Sequence, residues 1–560
     1  MFCFSLRRMN SANQSARERR RRTTCDAVRG WKRRLFSWLA LSLAFTSGRC
    51  RADVTTQIGL NFIGATFGVD SAATPPDSNG VIGPAHFVEF INGRFAVFDK
   101  LTGVKALTIT DLNFWKNAGV TFTSNLRTTD PRVLYDPASS RWFASQVDFD
   151  PSVQASNRFL IAVSATADPT GAWNAFAFAA DPVDGNFADF PKLGLDANGV
   201  YLAGDMFDPS GNGIGSTLVA IPKSDLLANP PTIDRRRSFG IMGYDTYGEV
   251  LQPTVSLGAT AGGEAILAVE SGGNDFVPHS HLVTFTVQNA ATPDQISEGD
   301  PVKVSIPAYT VPINPPQPSG QSTLDDGDAR LGSLVYRVGD LLYAVHGLEV
   351  SKRAAIQWFV LNANDFSVVQ TGLITDPSLD LFYPSIAANA AGVAVIGCNA
   401  SSRTSFISCN AYVGETVNGV LTFGSRQALK TASVSYSVID SDGVSRWGDY
   451  SATSVDPKDP THFWTIQMYP SASKSWSTQI TELIVTPVIP VPSLTITPTS
   501  SGLTVSWPTG FDGFQLQTAP DLSSSSVWTP VVQAPVLANT LLSLVFPNAD
   551  QARFFRLVKP

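Results

Sequence analysis

Charge is scarce in this sequence. Only 16% of its 560 residues are Asp, Glu, Lys or Arg, against about 25% in soluble globular domains generally. Histidine and cysteine number five each. His86, His279, His281, His346 and His462 are scattered, and only His279 and His281 are close. Two residues apart on a loop, they are a weak metal signature. Cysteine spacing of the metal-binding kind is also missing, so no metal ligand is assigned. The chain has no Gly-rich phosphate loop, no serine-elbow motif and no convincing Ser/His/Asp or Cys/His set. The usual sequence signs of nucleotide binding and nucleophilic hydrolysis are therefore absent.

Stretches with helical apolar spacing are rare too. In their place stand short β-branched or aromatic runs, broken by a plentiful supply of Gly (43) and Pro (37) together with Asn and Asp. That alternation predicts an all-β protein, and 43% apolar residues are enough to bury a large core.

The first 52 residues differ from the rest. They hold 13 Lys and Arg but only two acids, Glu18 and Asp26, ahead of the eleven-residue apolar run Leu35–Phe45. Such a run is too short to span a bilayer, and the basic lead and small-residue exit read as a secretory signal. Cys50 and Ala52 fit positions −3 and −1 of a cut before Asp53. Arg33-Arg34 loosely resembles a twin-arginine signal, and Arg49 before Cys50 argues against a lipoprotein signal. The expected location is secreted or in the cell envelope, with no stable membrane insertion after processing. An unprocessed anchor is the alternative. Without the leader the chain keeps 27 basic and 45 acidic residues, a net charge of −18. This surface repels phosphate backbones and excludes nucleic acid as an expected partner. It is compatible with calcium or cationic partners.

Cys398 and Cys409 lie in "VAVIGCNASSRTSFISCNAYVG", two apolar runs around a polar centre. If Arg403-Thr404 is the hairpin turn, the cysteines face each other and a cross-strand disulfide is expected. Two buried free thiols are the alternative.

An internal repeat organises the chain. A polar or Pro-containing start, an apolar strand, a Gly/Asn/Asp turn and a second apolar strand recur seven times, from Asn79, Asp130, Phe190, Gln252, Leu331, Tyr383 and Tyr450. With the strand-like runs between copies, each period holds about four strands, which predicts a seven-bladed β-propeller. A β-solenoid would need shorter, more regular repeats. The run Thr56–Gly68 has no period of its own and is expected to complete the last blade.

Four segments, "PPDSNGVIGPAHFVEFINGRFAVFDKLTG", "DFPKLGLDANGVYLAGDMF", "GDARLGSLVYRVGDLLYAVH" and "RWGDYSATSVDP", together resemble a family of secreted bacterial β-propellers over about Ile58 to Val485. The resemblance implies a propeller fold and export, and no established reaction. "SATADPTGAW" (Ser164–Trp173) is similar to the Asp-box turn of sialidase-type propellers. In that turn Asp168 would accept backbone N–H bonds, Gly171 would take a positive φ and Trp173 would pack between sheets. "TPVIPVPSLTITPTS" reads as an extended connector. The alternating strands beyond it, with Trp507 and Trp528, suggest a small β-sandwich that resembles a fibronectin-III-like module. The expected organisation is a leader over 1–52, a propeller over 53–485, a linker over 486–492 and a sandwich over 493–560.

In a propeller the starts of the inner strands converge beside the axis although far apart in sequence. Here they are Asp77, Asp130 with Arg132, Asp189, Gln252, Asp328 with Arg330, Tyr383, and Arg446 with Asp449 and Tyr450. We take Asp130, Arg132, Asp189, Asp328, Arg330, Tyr383, Arg446 and Asp449 as candidate ligand-binding residues. Arg132, Arg330 and Arg446 would clamp a carboxylate if they shared a pocket, with Tyr383 or Tyr450 as nucleophile and Asp77 or Asp130 as acid. Otherwise acids and arginines of neighbouring blades pair to hold the ring. No cofactor is expected; calcium is considered only for the oxygen-rich loops Leu324–Arg330 and Asp181–Asp189. The expected function is non-catalytic recognition of a protein, glycan or cell-surface component by a monomeric propeller. The alternatives are a sialidase-like or other carbohydrate-active hydrolase, and a structural envelope or matrix component.

Overall fold

In a computed structural model, the structure describes residues 55–152, 156–258, 263–270, 277–486, 492, 494–499, 502–509, 514–523, 526–538, 541–547 and 553–558. The leader and most of the expected linker lie outside the described residues. Contacts divide the chain into two compact units, one ending at Pro487 and one spanning Val488–Pro560.

The first unit is built from successive antiparallel sheets. Their first strands are β1 (Gly80–Ile82), β2 (Arg127–Asp136), β3 (Phe187–Leu195), β4 (Glu249–Ser256), β5 (Val335–Val338), β6 (Asp380–Ala388) and β7 (Ala452–Val455). Each copy of the sequence repeat falls on one of these strands and the strand after it. Turn chemistry at the junctions explains the pattern. Between His86–Ile91 and Arg94–Asp99, for example, Asn92-Gly93 makes the two-residue turn, with Gly93 at φ 84°. Each first strand neighbours the next, and β7 returns to β1. Parallel pairing joins β3 to β4 and β4 to β5. A solenoid would leave its two ends apart, whereas this ring closes, so the fold is a β-propeller.

The N-terminal strand Thr55–Thr66 pairs antiparallel with Ser475–Thr486 in the β7 sheet, where the sequence pattern placed it. Glu89, from the β1 sheet, is buried at this seam. Its Oε1 accepts from Ala65 N at 3.2 Å and from Thr478 Oγ1 at 2.5 Å. A Cβ on Gly64 would stand 2.6 Å from both Glu89 Oε1 and Thr478 Oγ1, so glycine is what lets the closing strand approach.

Aromatic packing fills the space between sheets. Trp173 meets Phe114 and Phe95 edge-on, at 5.1 and 5.8 Å. Its turn has much of the expected Asp-box character: Asp168 Oδ1 accepts from Thr170 N at 2.9 Å, and Ser164 pairs with Trp173. Gly171, however, does not take the left-handed φ expected of it. The turn closes instead through Gly171 N donating to Asp168 O at 3.3 Å.

The expected disulfide is not formed. Cys398 lies opposite Asn410 and Cys409 opposite Asn399, because the pairing is centred on Thr404 rather than between Arg403 and Thr404. That offset sends the two side chains to opposite faces of the sheet. Both are buried free thiols in separate core clusters. Burial raises both pKa values, that of Cys398 to about 12.

The second unit holds two antiparallel sheets. One orders Thr495–Thr499, Gly502–Pro508, Leu541–Pro547 and Val536–Ala538; the other orders Thr529–Pro530, Gln515–Ala519 and Phe554–Val558. Val505, Trp507, Leu516, Leu544 and Phe546 form its core.

Candidate functional site

Four of the inner strands share a local distortion near their start. The register shifts between Thr129 and Arg132, Asp189 and Lys192, Glu249 and Gln252, and Phe382 and Ser385. At each shift a non-glycine residue has a left-handed φ: Asp130 at 59°, Phe190 at 50°, Val250 at 59° and Tyr383 at 46°. Each such residue costs about 1–3 kcal/mol and persists only where its surroundings enforce it. Proline follows in three of the four, which a bulge tolerates because no ladder N–H is required there. The bulge turns the next side chain toward the ring centre.

Arg132 and Lys192 show the result. Arg132, fully buried, donates from Nε to Pro191 O at 3.0 Å and from Nη1 to Gly332 O at 3.3 Å. Its guanidinium lies 3.4 Å from the centre of the Tyr450 ring, and Tyr450 OH donates to Pro131 O at 3.1 Å. Lys192 Nζ reaches across to Leu331 O and Gly332 O at 3.0 and 3.1 Å. The Phe190 ring sits among the cations, 4.0 Å from Lys192 Nζ and 4.2 Å from Arg330 Cζ. Such contacts are worth about 2 kcal/mol each when desolvated. Burial, reinforced by Arg132 and Arg330, pushes the Lys192 amine well below its ordinary pKa.

Arg446 anchors a second cluster. Its Nη1 and Nη2 bind Asp449 Oδ1 and Oδ2 at 2.6 and 3.0 Å, and Nη1 also reaches Asp325 Oδ2 at 3.3 Å. Asp449 N donates to Asp77 Oδ1 at 3.2 Å. Asn92 then links Asp77 to Asp130, donating to Asp77 Oδ2 at 2.7 Å and accepting from Asp130 N at 2.9 Å. One chain of bonds thus runs from the segment before β5, through the start of β7, to the starts of β1 and β2. Burial opposes the charge on Asp449, but Arg446, with Arg330 and Arg132 beyond it, holds the carboxyl below its ordinary pKa. Asp77 goes the other way: burial and the charges of Asp449 and Asp130 raise it well above the carboxylate range. Asp189 is pushed up to about 8 by burial and the Asp130 charge.

A small cleft opens beside these clusters. Phe190, Asp326, Asp328, Arg330, His346, Tyr383, Asp449 and Tyr450 are among its lining residues, and its room is about 30 Å³. That admits a water or two, whereas pockets that bury a small-molecule ligand run to about 300–1,000 Å³. Arg330 Nε is held by Asp328 Oδ2 at 2.5 Å. The Tyr383 hydroxyl and Asp326 Oδ2 are buried with no hydrogen-bond partner among the described residues. Burial, then the charges of Asp325 and Asp449, raise the Tyr383 pKa well above that of a free phenol. Asp326 is raised by burial and by Asp325 and Asp380.

Of the residues singled out from the sequence, Asp328, Arg330, Tyr383, Asp449 and Tyr450 share the cleft. Asp130, Arg132, Asp189 and Arg446 do not line it. Arg132 and Arg446 are instead spent on carbonyls, an aromatic face and two carboxylates. Gln252 turns back on its own strand, with Nε2 donating to Pro253 O at 2.8 Å. Sequence reasoning missed Phe190 and Lys192, and considered Asp325 and Asp326 only as part of the Leu324–Arg330 loop. The first two were findable, since Phe190-Pro191-Lys192 repeats the pattern of Asp130-Pro131-Arg132. In the two oxygen-rich loops three of the acids are occupied, while Asp326 Oδ2 has no partner among the described residues. Asp325 and Asp328 bind arginines, and Asp181 accepts from Val183 N, Asp184 N and Asn186.

Comparison with known proteins returns no matching family model and no matching curated protein. Among solved structures, the chain is similar to polysaccharide lyase Uly1, at 10% identity and TM-score 0.37, covering 73% of this chain and 90% of that one. It is also similar to Trypanosoma rangeli sialidase in complex with the inhibitor DANA, at 9% identity and TM-score 0.34, covering 89% of each chain. A third is Drosophila Plexin A in complex with Semaphorin 1b, at 8% identity and TM-score 0.35, covering 75% of this chain and 86% of that one.

Proposed function

We propose that this chain is an exported, seven-bladed recognition propeller whose polar ring is a latch rather than a catalytic centre. It recognises a protein, glycan or cell-surface component through its loop-bearing face. One observation carries this reading: only one of the three arginines, Arg330, lines the cleft, and the other two are consumed by bonds within the ring. A carboxylate clamp needs guanidinium groups free to meet the ligand in pairs of bonds. The cleft is also too small for a sugar ring. Export rests on the leader sequence. The C-terminal unit is read as a fibronectin-III-like spacing or adhesion module, and the processed protein as a monomer. Calcium in the Leu324–Arg330 loop would have to displace Arg446 from Asp325 and Arg330 from Asp328, which disfavours it.

The carbohydrate-active hydrolase remains the second reading, and Tyr383 favours it as a buried hydroxyl without a partner beside acids. Against it, a tyrosine nucleophile needs its proton affinity lowered, and here burial and neighbouring charge raise it. The test is a panel of aryl glycosides, including sialosides, with purified protein. No turnover is expected; turnover by the wild type overturns the reading. In parallel, a glycan array and surface-exposed proteins probed at micromolar concentration are expected to yield a saturable ligand.

A further inference from the structure

Pairing the acids of the cleft with cations leaves one acid over. Asp328 Oδ2 holds Arg330 Nε at 2.5 Å, and the two oxygens of Asp449 hold Arg446. Asp326 is 3% exposed, and its Oδ2 has no hydrogen-bond partner among the described residues. Gly327, at φ 62°, turns the chain between Asp326 and Asp328, with Asp325 Oδ1 accepting from Gly327 N at 3.0 Å. Both flanking acids line the cleft. Tyr383 lies against this turn, because a Cβ on Gly327 would stand 3.3 Å from its hydroxyl. That hydroxyl also lacks a partner among the described residues, although Tyr383 is only 8% exposed. His346 is spent on Ala329 O at 2.8 Å and Gln357 Oε1 at 2.9 Å. Two buried oxygens that can accept hydrogen bonds are thus left in the wall of one small space, and unpaired groups of this kind call for a partner.

We propose that the cleft takes the ammonium head of a lysine side chain presented by a protein partner, with Asp326 Oδ2 and the Tyr383 hydroxyl as its acceptors. This rests on the recognition reading and narrows it to a protein ligand. The charge balance selects a cation, since Asp326 is the acid for which the lining holds no counter-charge. Burial and the charges of Asp325 and Asp380 keep a proton on Asp326 in the free protein. An ammonium supplies the counter-charge that lets the carboxylate form and accept a charge-assisted hydrogen bond. Phe190 and Tyr450 also line the cleft, and aromatic faces favour a cation over an anion. The room, about 30 Å³, suits an ammonium group, close to a water in size, and not the planar guanidinium of arginine. A metal ion needs several ligands converging on one point, and among the described residues no three His, Cys, Asp or Glu do so. An ammonium needs only separate acceptors, of which a hydroxyl can be one.

Calorimetric titration of the full chain with Nα-acetyl-lysine methylamide tests it, beside the norleucine analogue, which has the same side-chain carbons without the ammonium, and sodium acetate. Saturable binding of the lysine probe alone is the expected result, weakened by about tenfold or more in Asp326→Asn and in Tyr383→Phe. Asp300→Asn, at an exposed acid elsewhere, should bind as the wild type does. Both cleft variants keep side-chain size, and an unchanged unfolding midpoint would confirm that each is folded. The proposal is overturned if the lysine probe does not saturate, if norleucine or acetate binds as well, or if Asp326→Asn binds the lysine probe as tightly as the wild type. Failure of the lysine probe, with a saturable ligand still found among surface-exposed proteins, removes this inference and leaves the recognition reading standing. Binding of the probe, with no ligand found in that panel, removes the recognition reading and leaves the ammonium site.

Discussion

Glu89→Gln isolates the energetic character of the ring closure. Burial in the seam between the first and last sheets lifts the Glu89 carboxyl from its ordinary 4.5 to about 7, against the lowering effect of the Thr478 hydrogen bond. The folded state therefore holds this proton more tightly than the unfolded chain does. The associated stability is complete below pH 4.5 and is lost as pH rises through 7. The displacement corresponds to about 3 kcal/mol at full ionisation. Glutamine keeps the accepting oxygen for Ala65 N and Thr478 Oγ1 but has no proton to lose. Denaturant unfolding at pH 5 and pH 8 should show a wild-type loss that exceeds the Glu89→Gln loss by about 2.5 kcal/mol, because part of the stability is already gone at pH 5. Equal pH dependence in the two proteins would refute the argument, because it would mean that Glu89 is solvated or charged in the folded state.

Two further outcomes follow from the same geometry. Gly64→Ala puts a methyl group 2.6 Å from Glu89 Oε1 and Thr478 Oγ1, so a loss of about 1–3 kcal/mol is expected. It should appear as faster proteolysis of the N-terminal strand, and unchanged cleavage would count against the seam. Cys398 and Cys409 should be silent to a thiol reagent in the native protein. On denaturation without reductant, the wild type should release two more thiols than the Cys398→Ser/Cys409→Ser variant; an equal release would restore the disulfide.

The ring was legible because its signal is local. Each repeat pairs two apolar strands through a Gly/Asn/Asp turn, and the unpaired Thr56–Gly68 run had only the last sheet to join. The disulfide was misjudged by half a residue of register, since a turn centred on Thr404 reads almost the same as one centred between Arg403 and Thr404. The polar residues around His279 and His281 read as a loop, whereas the bulged pairing with Val302–Tyr309 makes them part of a strand. The repeat pattern in the sequence marks the starts of the inner strands but carries no sign of their partners. Arg446 binds Asp325, 121 residues away, through a segment where Leu324 bridges Ser445. The left-handed Asp130, Phe190, Val250 and Tyr383 carry no glycine to announce the bulges.

The most direct test of the latch is a double-mutant cycle on Arg446 and Asp449, read by unfolding free energy. Arg446→Ala leaves Asp449 and Asp325 without their shared cation and should cost about 3–5 kcal/mol. Asp449→Ala should cost a comparable amount, and the double variant should recover about 1–3 kcal/mol of the sum. Near-neutral, additive effects on stability, combined with loss of a measurable hydrolytic activity, would contradict the account and assign the ring to catalysis.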